Sequence, residues 1–249
     1  MEIIKYMDKI NVRIGLFIGV ALTWSLIWVT QRNRLFDLIN TDSFLLLLSG
    51  LVPTFGIIVG SFLMRKHLSK NRIGFTGNNS SYSITILAIP VLCLSIIGVD
   101  NNYTIQKNIF GFAIGAFTML YAFCEEYGWR GYLQAELSIK FNKWTAYVFI
   151  GIIWYLWHWY FLREGSNPKL IMLPILIGAS VGIGETSKST KSLLVCTALH
   201  GIVNTLFIYG IISNQLSSQE KVIISGICLA IWIPLILKLE KAGNSPVNR

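Results

Sequence analysis

Long apolar runs separated by short polar connections set the pattern of the chain. A helix needs about 20 mainly apolar residues to cross the hydrocarbon core of a bilayer, within a range of roughly 17 to 25. Such runs fall approximately at 14–30, 44–64, 82–99, 109–139, 144–162, 168–184, 192–213 and 222–238. The fourth is long, and its second half is polar enough to emerge from the bilayer. The sixth opens at Pro168, contains Pro174 and gives the weakest signal. Backbone polar groups cannot stay open in lipid, so spans are helices or a closed barrel. Runs this long, without strict alternation, exclude the barrel. The pattern therefore predicts an all-α, polytopic transmembrane bundle of about eight helices. No internal repeat, low-complexity tract or linker sets off a second domain, so residues 1–249 read as a single transmembrane domain.

Composition agrees with the pattern. The 249 residues are 53% apolar and only 13% charged, where soluble domains carry roughly 25% charged residues. A net charge of +9 could suggest nucleic acid, but that requires basic residues clustered on one solvated face. Here they lie between apolar runs, where they set membrane orientation instead. Fifteen of the 21 Lys and Arg residues fall on the side that carries both termini. The excess of basic residues on the inner side of membranes places the N-terminus and C-terminus in the cytoplasm, and an even number of spans agrees. The first run follows Lys5, Lys9 and Arg13 like a signal peptide, but ends in Trp28, Val29, Thr30, Gln31 and Arg32 without a small-residue cleavage pattern, so it reads as a retained span. Cys93, Cys124, Cys196 and Cys228 form no C-x-x-C pair and read as small core or lipid-facing residues.

Ionisable groups near mid-membrane cost at least about 2.5–3.5 kcal/mol each and are usually functional. They concentrate in the fourth run, which reads EEYGWRGYLQ from Glu125 to Gln134. The only histidines inside spans are His158 and His200; His67 sits in a basic loop. The fourth and fifth runs form a hairpin if they turn near Lys140, Asn142 and Lys143. Glu125 and His158 then both lie roughly 25 Å from that turn, and His200 and Asn204 lie roughly 12 and 18 Å into the seventh helix. The three segments are expected to share a depth in the cytoplasmic half. Glu126 and Arg130 stand at i,i+4 with the acid first, the better order for a helical ion pair. Glu125 points about 100° away from that pair, which suits a general base. His200 and Asn204, also i,i+4, face one cavity as a donor pair for an oxyanion. The bland alternative is helix association, since interhelical polar contacts average about 0.6 kcal/mol. For His158, the neighbouring Trp154, Trp157, Trp159 and Tyr160 also allow an interfacial aromatic belt. A double Glu, an Arg and two His at one depth favour function.

These residues resemble the CPBP family, which comprises type II CAAX prenyl endopeptidases and the related bacterial Abi or bacteriocin-immunity proteins. Its Glu-Glu-x-x-x-Arg motif is matched by Glu125, Glu126 and Arg130, and its His-x-x-x-Asn motif by His200 and Asn204. Its Phe-x-x-x-His motif maps to Trp154 through His158, with Trp where the family commonly has Phe. The likeness covers roughly residues 109–207. It implies that Glu125, helped by His158, activates a water. His200 and Asn204 would stabilise the oxyanion, and Glu126 and Arg130 would support the site. The family has also been regarded as metal-dependent. A Glu with two His could hold zinc and keep one position open, although no H-E-x-x-H helix is present. The expectation is no cofactor, with a bound metal left open.

Three functions compete. The first is an intramembrane endopeptidase acting on a membrane-associated or lipid-modified peptide. The second is a non-catalytic immunity or peptide-binding protein on the same scaffold. The third is a transporter with the Glu residues as proton carriers, which would favour a two-half symmetry that the sequence lacks. Expected partners are the lipid bilayer and a peptide or protein substrate: a prenylated protein, a pheromone or bacteriocin precursor, or an anti-sigma factor. No nucleic acid is expected. Compact loops and a Lys/Asn/Ile-rich composition suggest a multi-pass protein of a bacterial plasma membrane.

Overall fold

Each apolar run that the structure describes is helical. The computed structural model describes residues 2–38, 51–64, 73–158, 168–208 and 210–243. Among these, no strand forms, only an isolated bridge between Gly74 and Ser192. The helices are α1 (Glu2–Leu38), α2 (Val52–Met64), α3 (Ser80–Ile97), α4 (Lys107–Gly128), α5 (Lys143–Trp157), α6 (Pro168–Thr190), α7 (Leu193–Val203) and α8 (Ser218–Gly243). Among the described residues, five stretches are long and apolar enough to cross a bilayer: Asn11–Gln31, Ser80–Ile97, Lys107–Leu137, Leu170–Thr190 and Ser218–Lys241. The molecule is thus a multi-pass, all-helical membrane protein. Residues 44–50 of the second expected span, residues 159–162 of the fifth and His67 lie outside the described residues.

Two departures from ideal helix occur inside the motifs. After α4 the chain continues as a π-helical turn, Trp129–Leu133, before a last α turn, Gln134–Leu137. After α7 a second π-helical turn runs from Asn204 to Ile208. Isolated π turns of this kind are uncommon and gather at functional sites. The expected hairpin turn is present: Asn142 caps α5, its side chain accepting from the Thr145 amide at 3.0 Å.

Helix packing divides the chain into two compact units. The first comprises residues 1–72 and 127–184. In it α1 packs on α2, where Trp24 Nε1 donates to the Val52 carbonyl at 2.6 Å. A Cβ at Gly60 would lie 3.1 Å from the Phe17 ring, and one at Gly151 would lie 2.7 Å from the Ile177 backbone. Small residues that let backbones approach are the usual basis of helix association in lipid, where apolar burial gives little drive.

The second unit comprises residues 73–126 and 185–249. A Cβ at Gly111 would collide with the Leu94 carbonyl, so glycine sets the α3–α4 approach. Trp232 Nε1 on α8 donates to the Ile86 carbonyl on α3 at 2.9 Å. The start of α7 is pinned from three directions. Gly74 exchanges backbone bonds with Lys191 and Leu193 at 2.9 and 3.0 Å. Ser192 caps the helix by accepting from the Val195 amide and donates to Ser83 Oγ at 2.9 Å. Gly77, at φ +63°, sits where a side chain would strike the Thr190 carbonyl. That anchoring fixes the rotation of the helix that bears His200.

Candidate active site

The second unit holds four of the six expected residues. Glu125 and Glu126 end the part of α4 that belongs to it, and both are completely buried. His200 on α7 is 4% exposed. Across α4 and α7, Gly201 faces Met119 and Ala122 with no room for a Cβ unless the Met119 thioether moves. The close approach brings Glu126 Oε1 within 2.8 Å of His200 Nδ1. On the other side of the ring, Asn204 Nδ2 lies 3.0 Å from His200 Nε2.

This geometry fixes the ring's proton. The Asn204 amide nitrogen can only donate, so Nε2 of His200 accepts and Nδ1 carries the hydrogen that faces Glu126. In the neutral imidazole, Nε2 is then an acceptor and takes an N–H from the Asn204 carboxamide. Glu126, His200 and Asn204 therefore form a chain in series. The sequence had suggested His200 and Asn204 as a pair of donors side by side. With both ring nitrogens of His200 engaged inside the chain, Asn204 is the member that can turn its second N–H outward. Glu126 orients His200, and His200 orients Asn204.

A cleft of about 470 Å³ lies in the same unit. Val91, Leu92, Met119, Phe123, Leu194 and Thr197 are among its walls. Thr197 turns its hydroxyl back to the Leu193 carbonyl at 2.9 Å, so the cleft presents only apolar surface. Phe123 precedes Glu125 by two residues, and Thr197 precedes His200 by three.

The first unit holds Arg130 and His158. Arg130 lies in the π-helical turn and is fully buried, with its guanidinium carbon 4.9 Å from the centre of the Trp154 ring. A cation over an indole face is attracted by the ring quadrupole, most strongly when desolvated. Trp154 therefore does more than fill space in the second motif. Its carbonyl also accepts from His158 Nδ1 at 2.8 Å, and His158 caps α5. A carbonyl only accepts, so Nδ1 carries the proton and Nε2 of the neutral ring is the basic nitrogen. The Trp157 ring meets that of His158 edge-on at 4.8 Å. Trp159 and Tyr160 of the expected aromatic belt lie outside the described residues.

Among the described residues, no three His, Cys, Asp or Glu side chains gather to hold a metal ion. Residues 107–206 match a family of type II CAAX prenyl endopeptidases, Rce1-like. All six motif residues, from Glu125 to Asn204, fall inside the matched segment. The chain is also 26% identical over 139 residues to CAAX prenyl protease 2 of Methanococcus maripaludis, covering 49% of this chain and 48% of that relative. The match thus spans about half the length of the curated relative.

Sequence reasoning missed three features around these residues: the π turns, the serial order of the Glu126–His200–Asn204 chain, and a buried acid at Glu136. Glu136 alone left a trace, as a carboxylate at the polar end of the long fourth run.

Proposed function

We propose that the protein is an intramembrane endopeptidase that hydrolyses a peptide bond of a membrane-associated or lipid-modified peptide. The observation that carries the reading is the buried Glu126–His200–Asn204 chain, which supplies an oriented amide donor, with a second buried carboxylate, Glu125, adjacent to Glu126 in the sequence. In the proposed step, the oxygen of a water attacks the peptide carbonyl while Glu125 takes the water's proton. The oxyanion that forms accepts the outward N–H of Asn204. The C–N bond then breaks, and the proton held by Glu125 passes to the leaving amine. The family resemblance implies that His158 helps Glu125 and that Arg130 supports the site. Preorganised donors of this kind commonly contribute about 10²–10³ in rate each.

The apolar cleft supports a substrate with a hydrophobic part, since nothing on its walls rewards a polar group. Prenylated proteins and hydrophobic pheromone or bacteriocin precursors have that chemistry. The reading uses no cofactor and keeps both termini on the cytoplasmic side. Comparing peptide termini in membranes of cells with the intact protein and with Glu125→Gln tests it. New termini that depend on Glu125 support the reading; identical termini at equal protein levels refute it.

A further inference from the structure

The helix that organises Arg130 and His158 lies outside the family-matched segment. On α1, Arg13, Phe17, Ala21 and Ser25 recur every fourth residue and so lie along one face. Phe17 and Ala21 are completely buried, Ser25 is nearly so, and the Arg13 side chain is 12% exposed. That face meets both motif-bearing segments of the first unit. Arg13 forms an ion pair with the buried carboxylate of Glu136 at 3.4 Å. The Phe17 ring lies 5.0 Å from Tyr132 and 5.8 Å from Trp129, on both sides of Arg130 in sequence. Ser25 Oγ donates to the Trp157 carbonyl at 2.5 Å, next to His158.

Three facts make this more than ordinary packing. Both charges of the pair fall at the ends of membrane-crossing stretches, Asn11–Gln31 and Lys107–Leu137, yet the Glu136 carboxylate is completely buried against Arg13 rather than turned to water. The α1 contacts bracket the π-helical turn Trp129–Leu133, so they fix the rotation of a segment whose hydrogen bonding is irregular. Finally, a buried ion pair adds little stability over apolar residues of similar volume, so its presence points toward fixing geometry.

We propose that Arg13 and Glu136 are positioning residues: their ion pair locks α1 against the π turn and thereby aims the Arg130 guanidinium at Trp154. The inference rests on the endopeptidase reading only for its kinetic consequence. Glu136→Gln and Arg13→Gln should each lower kcat by about 10- to 100-fold, the scale of a small misplacement of a catalytic group, with little change in KM. Arg13→Lys keeps the charge and should lose far less.

The test uses the full chain in lipid nanodiscs, labelled with 5-fluorotryptophan. The Trp154 fluorine resonance is assigned by its disappearance in Trp154→Phe. In Glu136→Gln it should move toward its position in Arg130→Gln. The charge swap Arg13→Glu with Glu136→Arg should return both the resonance and kcat toward wild type. Should a single variant fail to insert, Arg13→Lys and the swap still decide. An unmoved resonance in Glu136→Gln, or a swap that inserts yet restores neither readout, overturns the proposal. Absence of cleavage by the wild-type protein would instead sink the endopeptidase reading, while the fluorine shift still judges the positioning claim.

Discussion

The serial arrangement of Glu126, His200 and Asn204 makes a prediction that parallel donors do not share. The perturbation is Asn204→Ala, His200→Gln and the double variant. Asn204 Nδ2 lies 3.0 Å from His200 Nε2, and His200 Nδ1 lies 2.8 Å from Glu126. Removing the Asn204 amide deletes the outward donor outright and should cost about 10²–10³ in kcat, or roughly 2.7–4 kcal/mol of transition-state stabilisation. His200→Gln can still offer an N–H to Glu126 but no longer aims Asn204, so it should cost a similar amount through the same donor. In a serial chain the double variant falls no further than the worse single one, because residues acting as a unit are strongly non-additive. Two independent donors would multiply their losses, to about 10⁴–10⁶. The assay is single-turnover cleavage of a quenched fluorescent hydrophobic peptide in proteoliposomes, with thermal unfolding in detergent as the control. Asn204→Ala also leaves the Nε2 acceptor without that partner, a cost of about 1–3 kcal/mol in stability. Multiplicative losses, or a kcat within about threefold of wild type in Asn204→Ala, would refute the serial reading.

Other outcomes follow from the packing and the site. Trp154→Phe keeps a weaker aromatic face for Arg130 and should reduce kcat less than Trp154→Leu, the contact being worth about 2 kcal/mol when desolvated; equal losses would mean that the ring only fills space. Gly111→Ala drives a Cβ into the Leu94 backbone and should lower the unfolding temperature by more than Gly201→Ala, where only the flexible end of Met119 must move. The reverse order would show that the α3–α4 approach is not limiting. Treatment with a strong divalent chelator should leave the cleavage rate unchanged, since Glu125 supplies the base; loss of activity restored by added zinc would transfer water activation to a metal.

The sequence revealed what depends on local chemistry. Apolar runs became helices because lipid leaves the backbone no other partner, and Asn142 was legible as a break because a side-chain acceptor caps a helix start. The motif residues were legible because charge inside a span is costly. What escaped was set by distant partners. Arg13 read as a flanking charge that orients the first span, yet Glu136 meets it across 123 residues. The π turn that begins at Trp129 left no mark in the sequence, because no residue type announces i→i+5 bonding. The order of Glu126, His200 and Asn204 depends on how α4 and α7 face each other, which Gly201 sets by lacking a side chain. The Trp154 substitution looked like a change of packing until the guanidinium above it was located.

Hydrolysis by the buried carboxylate is judged most directly with purified protein in liposomes, a hydrophobic peptide substrate and ¹⁸O-labelled water, read by mass spectrometry. The account predicts that wild-type protein yields an N-terminal fragment whose new C-terminal carboxyl carries one ¹⁸O, and that Glu125→Gln, inserted at the same level, yields none. An unlabelled N-terminal fragment, or labelled product from Glu125→Gln at the wild-type rate, would contradict it.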